Sequence, residues 1–194
     1  MEYSELSLEE LLNYTHDRRA WYWIGMAYWA ECNDFRNAAE WLTRTMNDPN
    51  NEWADTATQH LGMLHFGLFP IPNASKDEAL RLFERSISLL VSKLYAGFLY
   101  YEGTESNPKP EREMQLKGMR LIEEVIQRLI RDDGNDDYLS ANEYLIVGRI
   151  YAKEVLFTNA KAEEYLEKTI VKATRDNSSD LIEDAEEIMR NLRK

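Results

Sequence analysis

Apolar side chains recur along much of this chain with the period of an α-helix. In the stretch DEALRLFERSISLL they fall on one helical face, at Leu80, Phe83, Ile87 and Leu90, as expected for a helix with one buried side. The stretch SDLIEDAEEIMRNL, from Ser179, has a similar pattern and is followed by basic residues, which the helix dipole favours. The run LLVSKLY resembles a strand, but the spacing of Gly97 and Tyr100, which follow it and belong to a helical repeat, places it in a helix. The pattern therefore predicts an all-α protein.

Single residues indicate where several helices begin and end. SLEE (Ser7–Glu10) has the form of a capping box, and Ser75 precedes KDEALRLF with Glu78 three residues on. Segments rich in Pro, Asn or Asp interrupt the helical pattern. These breaks are NDPNN (47–51), PIPN (70–73), NPKP (107–110) and RDDGNDD (131–137).

A glycine followed three residues later by an aromatic ring or histidine occurs four times. The pairs are Gly25 and Tyr28, Gly62 and His65, Gly97 and Tyr100, and Gly148 and Tyr151. The first two intervals between these pairs are close to the length of helical-hairpin repeats. The third interval is longer and requires an insertion.

A second pattern follows each glycine. The segments NAAEWLTRTM, EALRLFERSI, KGMRLIEEVI and KAEEYLEKTI align with one another. A small residue stands second in each, namely Ala38, Ala79, Gly118 and Ala162. A bulky apolar residue follows four positions later, namely Leu42, Phe83, Ile122 and Leu166. Small residues let two helices approach closely and large ones fill the space beside them, so each unit is predicted to be a helix, a turn and a second helix.

These patterns predict one helical-repeat domain over residues 1–194. Its expected parts are an N-terminal capping helix (1–17), repeat 1 (18–50), repeat 2 (51–89), repeat 3 with an insertion (90–137), repeat 4 (138–176) and a C-terminal helix (177–194).

The repeated residues resemble the tetratricopeptide (TPR) family and its Sel1-like subgroup. The stretch AWYWIGMAYWAECNDFRNAAEWLTRTM is similar to a TPR unit, with the expected order Trp21, Gly25, Tyr28 and Ala38. The Sel1-like spacing of glycine, aromatic and glycine is met by Gly97, Tyr100 and Gly103. Repeat 2 has Gly67 one position early, and repeat 4 has Glu154 in place of the last glycine.

This resemblance implies a right-handed α-solenoid of about four helix-turn-helix repeats, with the first helices lining a concave face. It also implies a scaffold or adaptor that binds peptides or other proteins. A face of each first helix, next to the one that carries the glycine, is predicted to line the groove. Its residues are Tyr22, Trp23, Met26, Trp29, Gln59, His60, Met63, Phe66, Tyr95, Phe98, Tyr101, Leu145, Arg149 and Lys153.

Two interpretations of this aromatic face stay open. Exposed Trp, Tyr and Met suit an apolar or amphipathic protein segment. Alternatively, the stripe is buried as core, or the N-terminal helix fills it or caps the array, as terminal repeats require. Apolar residues available for that packing are Leu6, Leu8, Leu11, Leu12 and Tyr14.

The charge of the chain narrows the classes of partner. A net charge of −12 over 194 residues repels nucleic-acid phosphates and anionic lipids and favours a basic protein. Cys32 is the only cysteine, so no intrachain disulfide forms, and the start MEYSELSLEELL lacks an apolar signal core. A cytoplasmic protein without a membrane span is the expectation.

No catalytic motif is present in the sequence. G-x-S-x-G, H-E-x-x-H, C-x-x-C, P-loop and G-x-G-x-x-G patterns are all missing. His60 and His65 are five residues apart and do not share a helical face as metal ligands would. His65 is expected to be a buried, hydrogen-bonded core residue. We therefore expect neither an enzyme nor a cofactor.

Three functions remain. The leading hypothesis is a non-catalytic protein-interaction module, and the second is a small acidic inhibitor or immunity-type protein that neutralises a basic effector or nucleic-acid-binding protein. The third is a structural array that self-associates as a homodimer through its C-terminal helix. The apolar residues of that helix are Leu181, Ile182, Ala185, Ile188, Met189 and Leu192.

Overall fold

The computed structural model describes residues 2–131, 139–154 and 159–193, which form helices joined by turns and loops. Those residues contain no strand, so the all-α prediction is confirmed. The α-helices are α1 (Leu8–Leu11), α2 (Trp21–Ala30), α3 (Phe35–Met46), α4 (Ala54–Met63), α5 (Lys76–Arg85), α6 (Leu90–Glu102), α7 (Arg112–Arg131), α8 (Ala141–Lys153), α9 (Asn159–Arg175) and α10 (Ser179–Leu192). Short 3-10 turns precede α2, and a π-helical turn, Leu64–Leu68, extends α4. The predicted break at 131–137 lies, apart from Arg131, outside the described residues.

The chain divides into two compact units. The first is Met1–Glu111, with α1 to α6, and the second is Arg112–Lys194, with α7 to α10. In the first unit α2 packs on α3, α3 on α4, α4 on α5 and α5 on α6. In the second unit α8 packs on α9, and α10 packs on both. The boundary falls inside predicted repeat 3, between its first helix α6 and its second helix α7.

Helix starts agree with the capping residues predicted from sequence. Ser7 and Glu10 form a complete capping box at α1, and the Ser75 side chain accepts a hydrogen bond from the Glu78 amide at α5. Asp34 caps α3 in the same way, and Ser140 begins α8 with a second capping box. Each cap satisfies an amide that the helix itself leaves unpaired.

The repeated glycines are points of close helix contact. The facing pairs are Gly25 with Leu42, Gly62 with Phe83, and Gly148 with Leu166. These are the glycine and bulky positions that the sequence alignment matched in repeats 1, 2 and 4. A Cβ atom added at Gly62 would lie 2.6 Å from the Phe83 ring, and one at Gly148 would lie 2.8 Å from Leu166 Cδ2. The equivalent residues of repeat 3 lie in different units, Gly97 in the first and Ile122 in the second.

Tyrosines at the predicted aromatic position bind the second helix of the preceding repeat. Tyr100 of α6 donates a hydrogen bond to Glu84 of α5, and Tyr151 of α8 donates one to Glu123 of α7. Both acceptors directly follow the bulky residue of their helix. The same contact therefore occurs once in each unit, at equivalent positions of the sequence repeat.

His65 occupies this aromatic position in repeat 2. The residue that corresponds there to Glu84 and Glu123 is Thr43, which is exposed. His65 is half-buried, and among the described residues its buried Nδ1 atom has no hydrogen-bond partner. The prediction that His65 is hydrogen-bonded is therefore wrong, because the residue at the position of those glutamates is Thr43 and not a carboxylate. Burial lowers the pKa of the imidazole and favours its neutral form.

The N-terminal segment covers one side of α2. Tyr3 and Leu11 are buried in a cluster with Ile24 and Ala27 of α2, and Trp41 of α3 packs against the same cluster. The aromatic contacts between α2 and α4 belong to a second cluster, and Trp23 packs against both clusters. The segment therefore covers one side of α2 and meets the aromatic contacts at Trp23.

The second unit has its own core and an ion pair between an exposed arginine and a buried glutamate. Leu145 of α8, Leu166 of α9 and Ala185 of α10 are buried together. Glu154, which replaces the last glycine of the Sel1-like spacing, accepts two hydrogen bonds from the Arg112 guanidinium at 2.7 and 3.0 Å. The pairing explains how a carboxylate is tolerated at a buried position.

Candidate functional site

Aromatic rings of α2 contact His60 of α4 and Trp53, which directly precedes α4, in a continuous row. Tyr22 stacks on Trp53, with ring centroids 4.9 Å apart and planes 9° apart. Trp23 meets Trp53 edge to face at 5.1 Å. His60 contacts Tyr22 at 5.9 Å and Trp29 at 5.7 Å. The first helices of repeats 1 and 2 thus share an aromatic interface, which we call the aromatic row.

A second group of aromatic rings joins the end of α4 to α6. Phe66 contacts Tyr95 at 4.9 Å and Phe98 at 5.7 Å, both edge to face. Phe83 of α5 stacks on Tyr95 at 5.2 Å. The predicted groove residues of repeats 2 and 3 are therefore in contact, like those of repeats 1 and 2.

The predicted site residues differ in accessibility. Of those in the first unit, seven are half-buried: Trp23, Met26, Trp29, Gln59, His60, Met63 and Phe66. The other four in that unit are buried: Tyr22, Tyr95, Phe98 and Tyr101. The stripe is therefore buried on α6, whereas on α2, α4 and the π-helical turn its residues other than Tyr22 are half-buried.

Arg149 belongs to the second unit. It lies on α8, is half-buried, and donates a hydrogen bond to Asp184 of α10 at 2.7 Å. Its charge is therefore paired within that unit. Leu145, predicted for the same face, is a buried member of the core between α8, α9 and α10.

An open cleft lies beside the aromatic row. Its volume is about 440 Å³, and it is lined by residues 2–4, Arg19, Trp23, Glu52 and Trp53. We call it the N-terminal cleft. It is formed by the first 3-10 turn, the residues around the start of α2 and the turn before α4, so the N-terminal segment builds one of its walls.

Of the three charged residues that line the cleft, Arg19 is paired, whereas Glu2 and Glu52 have no partner among the described residues. Arg19 donates to Asp17, with its Nη2 atom 2.8 Å from Oδ2, and the Tyr3 hydroxyl donates to the same carboxylate at 2.6 Å. These hydrogen bonds hold the pKa of Asp17 far below its usual value, and the bond from Arg19 has the largest effect. Glu2 and Glu52 are exposed, and among the described residues neither side chain has a hydrogen bond or an ion pair.

Three aromatic residues of this region were not predicted from the sequence. Trp53 precedes α4, Phe35 begins α3, and Phe69 follows the π-helical turn. Phe69 lies 4.6 Å from Trp29 and 5.0 Å from Phe35, between ring centroids. All three lie at or beyond helix ends, where the helical period gives no orientation. The only available signal was a large aromatic residue beside a turn.

The titratable groups of the aromatic row have structural roles. His60 Nδ1 lies 2.9 Å from the Thr56 carbonyl, and burial lowers the pKa of the ring.

Within the described ranges, no group of three or more His, Cys, Asp or Glu side chains is placed to hold a metal ion. Nor does any helix in these ranges have both the length and the apolar content needed to cross a membrane. Cys32 is exposed and unpaired.

Neither the protein-family models nor the curated proteins give a match to this chain.

Proposed function

We propose that this chain is a non-catalytic helical-repeat protein of the TPR or Sel1-like kind, with its hairpins stacked as an α-solenoid. Two observations support the repeat. Glycines face bulky residues at the same sequence positions in three hairpins. Tyr100 and Tyr151 make equivalent contacts with the preceding second helices. Contacts that recur at repeat positions are expected when each hairpin packs on its neighbour.

We further propose that it binds a protein or peptide segment at the aromatic face of α2 and α4, as an adaptor or regulator. The observation that carries this proposal is the partial exposure of Trp23, Met26, Trp29, His60 and Met63, which all remain half-buried. Large aromatic and Met side chains on an accessible helix face fit an amphipathic segment. The net charge of −12 favours a segment with basic residues.

The test compares two tryptophans in a pulldown from the native host, followed by binding measurements on the purified partner. Trp29→Ala removes an indole from the aromatic row. Trp41→Ala removes one from α3, where it packs against the N-terminal cluster. Both variants must retain the helical circular dichroism of the parent. We expect Trp29→Ala to weaken binding by tenfold or more, as truncation of an interface tryptophan does, and Trp41→Ala to leave the affinity within about threefold. Equal effects would contradict the proposal.

The acidic inhibitor is the second candidate, favoured by the net charge and the unpaired carboxylates of Glu2 and Glu52. It requires tight binding to one basic protein that weakens steeply with salt. Salt-insensitive binding through the aromatic face would count against it.

Self-association through α10 has less support. Leu181, Ile188, Met189 and Leu192 of that helix already pack against the core formed with α8 and α9. Light scattering at high concentration tests it directly, and a strict monomer would rule it out.

A further inference from the structure

The N-terminal cleft has aromatic walls of the kind that attract cations. Trp23 and Trp53 stand at 70° to each other with ring centroids 5.1 Å apart. Tyr22 stacks on Trp53 and fixes its indole. The negative face of an indole attracts ammonium and guanidinium groups, and tryptophan does so most strongly among the aromatic residues.

The unpaired charged groups that line the cleft are negative, so they also attract a cation. Glu2 and Glu52 line it, are exposed, and have no ion pair or hydrogen bond within the described part of the chain. Arg19 is the cation among the lining residues, and its guanidinium is held by Asp17 through hydrogen bonds from Nε at 3.2 Å and from Nη2 at 2.8 Å. The Arg19–Asp17 pair is nearly neutral, and no side chain of the described residues pairs with the carboxylates of Glu2 and Glu52.

We propose that the N-terminal cleft binds a lysine or arginine side chain of a basic protein partner. The two indoles contact the alkyl stem and the cationic group, and Glu2 and Glu52 provide the counter-charge. A volume of about 440 Å³ admits one long side chain and is near the lower end of the range for small-molecule sites. This inference rests on the proposed function, because it identifies part of the bound segment.

The first experiment uses labelled octa-arginine and octa-lysine peptides with the full chain, by fluorescence polarisation at 0.15 M salt. Octa-citrulline is the neutral match for arginine. A chain of net charge −12 attracts any polycation, so the decisive comparison is between variants with equal charge. Glu2→Gln/Glu52→Gln removes two charges at the cleft, and Glu183→Gln/Glu187→Gln removes two from exposed positions of α10.

We expect the cleft pair to weaken binding of the cationic peptides by about tenfold and the α10 pair by less than about threefold. Citrulline should bind weakly to every variant. Equal losses for the two pairs would overturn the proposal, as would binding of octa-citrulline comparable to that of octa-arginine. Preferential binding of octa-glutamate would also overturn it, by assigning the cleft to Arg19 and an anion.

A second variant tests the aromatic walls separately. Trp53→Leu keeps an apolar side chain and both carboxylates but removes the indole. We expect it to weaken octa-arginine binding by about fivefold or more, after circular dichroism shows that it is folded. The exposed glutamates provide the decisive test if this variant is destabilised.

Failure of this inference can be told apart from failure of the proposed function. If a protein partner is bound through Trp29 but the cleft variants bind it as well as the parent does, the cation site is wrong and the interaction function stands. If the Trp29 test fails while the cleft variants lose peptide binding selectively, the cation site is retained and the proposed aromatic docking face is wrong.

Discussion

At the scale of single residues, glycine has two different roles in this chain. Gly25, Gly62 and Gly148 lie inside helices and allow a second helix to approach closely. Gly67 and Gly103 follow or end a first helix and have φ angles of +99° and +100°, a conformation that disfavours residues with a Cβ atom. Repeat 2 has both roles in one helical segment, with the packing Gly62 first and Gly67, at positive φ, after it.

The packing role predicts losses of different size for two alanine substitutions. At Gly62 a new Cβ would lie 2.6 Å from the buried Phe83 ring, whereas at Gly25 the nearest atom, Leu42 Cγ, is 3.0 Å away. Alanine gains about 1 kcal/mol of helix propensity, but overpacking costs about 1–3 kcal/mol. We expect Gly62→Ala to lower the free energy of unfolding by about 1–2 kcal/mol and Gly25→Ala to change it by less than about 1 kcal/mol. Urea denaturation measures both.

A double-mutant cycle controls for the cause of the loss at Gly62. Phe83→Leu makes room beside the glycine, so Gly62→Ala should cost less in that background than in the parent. Additive losses would show that the ring is not responsible.

The helix-ending role predicts a difference between Gly103 and Gly67. A Cβ at Gly103 would clash with the Asn107 carbonyl oxygen, whereas at Gly67 no neighbouring atom of the described residues lies within 4 Å. Both substitutions carry the strain of a positive φ, and only Gly103→Ala adds a backbone clash. We expect a loss of about 3 kcal/mol for Gly103→Ala and about 1 kcal/mol for Gly67→Ala. Thermal denaturation of the two variants side by side would contradict this if Gly67→Ala lost as much.

At the scale of elements, a tyrosine hydroxyl joins the first helix of repeat 3 to α5, and another joins the first helix of repeat 4 to α7. Tyr100 and Tyr151 are both buried, and both donate to a glutamate. Removing a donor from a charged acceptor costs about 1–2 kcal/mol when the site is shielded from water. We therefore expect Tyr100→Phe and Tyr151→Phe each to lower the free energy of unfolding by about 1 kcal/mol. Tyr28→Phe, at the same position of repeat 1, is the control and should cost less than about 0.5 kcal/mol.

The helices and their pairings inside hairpins were predictable because they depend on short-range patterns. Gly148 and Leu166, for example, were matched by alignment alone and are in contact. The missing hydrogen bond of His65 was not predictable from its own hairpin, since it depends on Thr43 in the preceding one. Trp53 was missed because it lies just before α4, where the helical period gives no orientation. The unpaired state of Glu52 depends on which neighbours fold near it, which the sequence does not encode locally.

At the scale of the whole molecule, buried tyrosines make stability depend on alkaline pH. Burial raises the pKa of Tyr22 to about 12. Burial, together with a nearby glutamate, also raises the pKa of Tyr100 and Tyr151. An unfolded tyrosine loses its proton near pH 10, so above that pH the unfolded chain binds fewer protons than the folded one.

The sign of this linkage predicts a stability that is full below about pH 10 and falls as the pH rises toward 12. Tyr22 alone accounts for about 2 kcal/mol of the loss at pH 12. We expect urea denaturation at several pH values to show a shallower decline for Tyr22→Phe than for the parent, since the variant has no proton to lose there. Ionisation of other surface groups affects both proteins equally and cancels in the comparison. Parallel declines would mean that the Tyr22 hydroxyl ionises in the folded chain as readily as in the unfolded one, and that the contact between α2 and α4 admits water at that position.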